Sequence, residues 1–212
     1  MSMVATPSNG DVPRVDGPPR AIQPGWVRVT HWLNVLAVLV LIASGWRIYN
    51  ASPIFAFRFP KEITLGGWLG GALLWHFAAM WLLAVNGLVY LLLNIVSGRL
   101  RRRFWPLSPR QIAGDLVAAL RGRLAHDDLQ QYNAVQKAAY LGAIVLLVLV
   151  VLSGLAVWKS VQLPLLRELM GGFDNARVVH FVAMAGLVLF TLVHVVMVAV
   201  VPRTLLLMIR GR

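Results

Sequence analysis

The 212-residue chain is 58% hydrophobic and only 13% charged, a mix that excludes an ordinary soluble domain and points to an integral membrane protein. The absence of cysteine excludes disulfides, thiolate-held iron–sulfur clusters and thioether-attached haem within this chain. A formal net charge of +12 reads first as loop charge that orients membrane spans, so nucleic acid is not an expected partner.

Residues 1–25 are rich in Pro, Gly, Ser and Asp, contain no apolar run, and are expected to form a disordered tail without a signal peptide. The first span is expected from Trp26 to about Tyr49, with Arg28 and His31 near its start; Pro53 and Pro60 stop helix propagation beyond it. The second, from about Leu65 to Val96, opens with GGWLGG and carries His76 between Trp75 and Phe77. After an arginine-rich stretch, Ile112, Leu116, Ala119 and Leu120 share one face while Arg121 and Arg123 lie toward water, the pattern of an amphipathic helix on the cytoplasmic membrane surface. His126, beside Asp127 and Asp128, reads as solvated. The third span, Ala138 to Trp158, has no histidine and is preceded by the polar run QQYNAVQK. The fourth, Arg177 to Val201, holds His180 and His194, and a basic tail follows. Trp26, Trp46, Trp68 and Trp158 fit an aromatic belt. The expected fold is an all-α integral membrane four-helix bundle over residues 26–205, with a cytoplasmic tail on either side (1–25 and 206–212) and no solenoid repeat.

Loop charge orients the bundle. The side with both termini and the 97–137 loop has 14 Lys and Arg, the other side 6, so the termini are expected in the cytoplasm of a bacterium, with the inner membrane as the location. Order along each helix then gives depth. His31 and His194 fall on the inner side, His76 and His180 on the outer, so three helices supply one pair of imidazoles at each of two depths. Imidazole in hydrocarbon is costly without a partner. Two depth-matched pairs are what two bis-histidine haems require, with small residues (Gly45, Gly67, Gly70, Gly71, Ala183, Gly186) where the macrocycle meets backbone. Arg28 and Arg177 each precede a histidine by one turn and can pair with propionates, or serve as interface anchors. Histidine-based metal transport is a distant alternative, because all eight acidic residues lie outside the spans. The polar entrance to the third span suits a quinone headgroup, with Asn133 and Gln136 as hydrogen-bonding residues; the same two residues also fit a helix-capping box.

The H-x13-H pair of the fourth helix, the RVTHW start of the first, the histidine of the second and the YNAVQK entrance to the third resemble the bacterial cytochrome b561 superfamily. Within it, they resemble specifically the dihaem cytochrome b membrane subunits of formate dehydrogenase, Ni,Fe-hydrogenase and thiosulfate reductase. The resemblance covers roughly residues 24–205. It implies two non-covalent haem b groups, one on His31 and His194 and one on His76 and His180, and electron transfer between the quinone pool and a periplasmic redox enzyme. Tyr132 to Lys137 match the family's quinone-site stretch, with Val135 in place of a glycine. The expected function is that of an electron-transfer subunit whose partner is a molybdoenzyme-type oxidoreductase or a hydrogenase. The alternative is a stand-alone superoxide:quinone oxidoreductase.

Overall fold

The structure is a computed structural model that describes residues 23–99, 108–120 and 134–211. In chain order its helices are α1 (Gly25–Ala51), α2 (Leu69–Val96), α3 (Pro109–Leu120), α4 (Ala134–Trp158), α5 (Pro164–Leu169), α6 (Phe173–Val200) and α7 (Arg203–Arg210), with a 3-10 turn at Lys61–Ile63. Four of them, α1, α2, α4 and α6, are long and apolar enough to cross a membrane. No strand occurs among the described residues. The chain is an all-α, multi-pass membrane protein.

Local chemistry sets the helix ends. Pro53 follows the last residue of α1 by two, and Ser52 closes the helix through its N–H to the Tyr49 carbonyl. α2 starts at Leu69, later than the expected Leu65, because Gly66 and Gly67 hold φ of 105° and 70°, outside the helical region. Ahead of that turn the Leu65 N–H donates to the Ala43 carbonyl at 3.0 Å and pins the loop to α1. α4 starts at Ala134 and not at Ala138, so Val135 to Lys137 belong to the helix. The last residues are not simply a tail. α7 folds back onto the start of α1, where Arg28 Nη1 donates to the Ile209 carbonyl (2.7 Å) and Trp32 Nε1 to the Met208 carbonyl (3.2 Å). A helix, α3, occupies the stretch where a surface helix was expected. The side chains of Leu116, Ala119 and Leu120, and residues Arg121, Arg123 and His126, lie outside the described residues.

Burial in the spans is confined largely to small side chains: Ala37, Ser44, Ala72, Ala79, Ser153, Ala176 and Ala183 are buried, while Leu74 is 73% exposed. Lipid offers no hydrophobic drive between helices, so close contact through small residues and buried polar links holds them. One such link is Asn86, whose Nδ2 donates to the Thr30 carbonyl and to Asn34 Oδ1, both at 2.7 Å. α1 packs on α2 and α4 on α6, with sparse contact between the two pairs.

The pairs repeat one another in register. Ser44–Gly45 of α1 recurs as Ser153–Gly154 of α4, and Ala72, His76 and Ala79 of α2 recur as Ala176, His180 and Ala183 of α6 at one constant offset. At those same offsets Tyr140 takes the place of His31, and Tyr90 that of His194.

Candidate functional site

His31 and His194 meet across the space between the helix pairs with ring centres 6.2 Å apart and planes at 64°. His76 and His180 meet in the same way, at 6.4 Å and 65°. Metal–imidazole bonds of about 2 Å, with a further ~1.1 Å from nitrogen to ring centre, put two rings on opposite sides of one ion about 6.3 Å apart. Both pairs therefore stand at the separation that one bis-imidazole metal centre needs. Along α6 the two histidines are about 21 Å apart, with His31 and His194 toward the face carrying the termini and His76 and His180 toward the opposite face.

Around His76 and His180 the repeat builds matching supports. Ser44 Oγ donates to the Val40 carbonyl at 2.6 Å, which commits its only proton, so it accepts from Nδ1–H of His76 at 3.0 Å. Ser153 Oγ likewise donates to the Leu149 carbonyl at 2.6 Å and accepts from His180 Nδ1–H at 3.1 Å. The Val150 carbonyl, 3.1 Å from the same nitrogen, can only accept. Protonated Nδ1 leaves a lone pair on Nε2, the tautomer that binds a metal through Nε2. Ser44 and Ser153 are the largest fully buried side chains of the described residues. The following glycines let each imidazole lie on the helix backbone: a Cβ on Gly45 would sit 3.4 Å from His76 Cε1, and one on Gly154 3.2 Å from His180 Cε1.

The other pair is held by rings. Phe190 stacks on His194 with centres 5.9 Å apart and planes at 13°, and Trp32 meets His31 edge-on at 5.4 Å. Neither imidazole has a side-chain hydrogen bond to another described residue.

The remaining expected site residues are more scattered. Arg177 lies at the end of α1, with Nη2 donating to the Ser52 carbonyl (2.6 Å) and Nη1 3.8 Å from Asp174. Arg28 caps α7 through Nη1, yet its Nε is buried with no hydrogen-bond partner among the described residues, a donor that a carboxylate would satisfy. Gln136 is exposed in the first turn of α4, whereas Asn133 lies outside the described residues. Of the small residues, Gly45 packs on a histidine. Gly186 faces Leu146, and Gly70 and Gly71 pack on Trp68 and Gly66 in the turn before α2. Sequence reasoning missed Ser44, Ser153 and Gly154; the signal was the Ser-Gly pair at matching places in two spans, one of which has no histidine.

The family model for prokaryotic cytochrome b561 matches residues 22–211. The chain belongs to the prokaryotic cytochrome b561 family. It is a transmembrane, haem b-binding electron-transport protein of the oxidoreductase-subunit type, as the resemblance implied. A relative from Azospira oryzae, named as the protein-methionine-sulfoxide reductase subunit YedZ1, is 66% identical over 191 residues, which is 90% of this chain and 96% of the relative. No solved structure matches.

That relative corrects the expected function. A cytochrome b561 chain this similar is named for a methionine-sulfoxide reductase, which overturns the formate dehydrogenase, hydrogenase or thiosulfate reductase assignment. The stand-alone superoxide enzyme falls with it, since the relative is named as a subunit, and so does metal transport, since the family is a cytochrome family. The physical reason is that histidine spacing bears on where a haem could be held and not on which enzyme receives the electrons. Nothing in that spacing names a partner, and the YNAVQK stretch was too short to decide it.

Proposed function

We propose that this cytochrome b561 is the membrane subunit that supplies electrons to a protein-methionine-sulfoxide reductase at the face opposite its termini, the periplasmic face of the inner membrane if loop charge sets the orientation. The observation that carries the reading is the 66% identity to a subunit so named, over nearly the whole of both chains. The geometry supports it independently. His76 with His180 and His31 with His194 would each hold one haem b, two per chain, and Arg28 Nε is placed to meet a propionate. A haem iron held by two of these imidazoles would supply one-electron transfer and not substrate chemistry. Sulfoxide reduction, which consumes two electrons and two protons and releases water, therefore belongs to the partner. Ser44 and Ser153 fix the tautomer of His76 and His180, and the order of the histidines along the helices sets the two pairs at different depths. A quinol is the proposed donor, being lipid-soluble and able to reach the end of α4 that carries Gln136.

The test is reoxidation. The purified chain, reduced with a quinol, is mixed with the reductase subunit of the same organism and with methionine sulfoxide, and the reduced b-type absorption is followed. Loss of that absorption only when both reductase and sulfoxide are present is the expected result; reduced haem that persists with both present refutes the proposal.

A further inference from the structure

The loop between α1 and α2 is folded to a purpose that the histidines do not use. Tyr49 Oη donates toward the carbonyls of Phe55 (3.3 Å) and Phe57 (3.2 Å). Asn50 brackets Phe59, giving a hydrogen bond to its carbonyl at 2.8 Å and taking one from its N–H at 2.9 Å. The Phe59 ring stacks on Trp46 with centres 4.7 Å apart and planes at 11°. These anchors hold the segment over the end of α1, beside an open cleft of about 450 Å³ lined by Arg47, Arg58 and Lys61 together with Asn50, Phe59 and Leu69.

Three cations thus face one space. None of them makes an ion pair among the described residues, where the pairs are Arg167 with Glu168 and Arg177 with Asp174. Asn50 bonds both backbone groups of Phe59 and so holds the loop, and as a neutral amide it does not neutralise charge. Arg58 and Lys61 are exposed and Arg47 is half-buried, so the three charges gathered along one cleft with an apolar wall make it attractive to an anion. The cleft also has a definite height. Leu69 begins a membrane-spanning helix, and the preceding Trp68 is 69% exposed, as a side chain at the headgroup boundary is. An anion at that level with apolar surface beside it has the chemistry of a phospholipid.

We propose that Arg47, Arg58 and Lys61 form a site for the phosphate-bearing headgroup of an anionic phospholipid, with Phe59 and Leu69 against the first carbons of its chains. The site does not depend on the identity of the reductase. Basic pockets between spans bind anionic headgroups through the same attraction that draws polybasic segments to anionic membranes. Phosphate is the chemistry recognised, and free phosphate is the rival source.

Native mass spectrometry of the haem-loaded chain in mild detergent separates them. Phosphatidylglycerol, phosphatidylcholine and inorganic phosphate are offered in turn to the natural protein and to Arg58→Gln, Arg58→Lys, an Arg47→Gln/Lys61→Gln double variant, and Arg167→Gln as a control away from the cleft. The expected result is selective retention of phosphatidylglycerol, weakened about fivefold by Arg58→Gln and further by the double variant, restored in Arg58→Lys and unchanged in Arg167→Gln. Haem content and secondary structure of every variant should equal those of the natural protein. Equal retention of both lipids overturns the proposal, and displacement of the lipid by millimolar phosphate identifies free phosphate as the ligand instead. Loss of haem from the cleft variants with lipid retention unchanged also overturns it, since the three cations would then be serving haem carboxylates.

Discussion

The two histidine pairs have nearly equal ring separations, 6.2 and 6.4 Å, and almost nothing else in common. His76 and His180 are related by the internal repeat. Each comes from the second helix of its pair, each gives its Nδ1 proton to a buried serine of the first helix, and each lies on a glycine. His31 and His194 come from a first and a second helix, have ring neighbours in place of hydrogen bonds, and are matched across the repeat by Tyr140 and Tyr90. Two halves that fold alike thus give one symmetric site where both halves supply the same residues, and one unsymmetric site where only one residue of each kind is histidine. The difference teaches that separation and support are set independently. Backbone packing fixes the separation, and a second layer of side chains fixes the ring's tautomer and tilt at one site only.

The largest break comes from the histidines themselves. His76→Ala or His180→Ala should halve the haem content and leave the pair at the other face intact; His31→Ala or His194→Ala should do the converse. Pyridine haemochrome with protein mass reads the stoichiometry, and low-temperature electron paramagnetic resonance tells which pair survives. Loss of both haems from a single replacement, in a chain that still folds, would mean that the pairs are not independent sites.

A smaller change tests the glycine supports. Gly154→Ala places a methyl group 3.2 Å from His180, tighter than ordinary carbon contact, while Gly45→Ala places one 3.4 Å from His76. Overpacking of this kind costs about 1–3 kcal/mol. Gly154→Ala should therefore lower the thermal stability of the haem-loaded chain more than Gly45→Ala, with the resonance of only the His76–His180 pair altered. An alanine at Gly142, where nothing lies within 4 Å, should be neutral in the same melting experiment.

Much of this was legible in the sequence because the periodicities involved are those of single helices. Four apolar runs gave four spans to within a few residues, and the order of His31, His76, His180 and His194 along them gave the pairing by depth. What the sequence hid was what depends on two helices at once. Ser153 and Gly154 sit in a span with no histidine, so nothing local marks them; they matter only because α6 lays His180 against them. Arg28 reads as a propionate partner by its spacing from His31, but the carbonyl that takes its Nη1 proton belongs to Ile209, near the far end of the chain. The reductase partner was hidden for a related reason. No residue spacing names a partner, and only the 66% identity to a named subunit suggests one.

The finest distinction between the pairs lies in the serines. A hydrogen bond from Nδ1–H to an acceptor makes the imidazole more basic, which strengthens its bond to a metal and favours the oxidised, more highly charged iron. Ser44→Ala and Ser153→Ala remove that acceptor while the alanine fills nearly the same space, so the helices should stay in place. The sign follows: less basic imidazole favours reduced iron, so the midpoint potential assigned to the His76–His180 pair should rise, and haem should leave that pair about tenfold more readily. Ser153→Ala should have the weaker effect if the Val150 carbonyl, 3.1 Å from the same nitrogen, takes the whole hydrogen bond. The potential of the His31–His194 pair, which has no such serine, should stay where it was in both variants. Redox titration of the two b-type bands, with potentials assigned through the histidine variants, reads all three outcomes. A shift of equal size at both pairs would show that the serines act through the bundle as a whole and not through the ring each one touches.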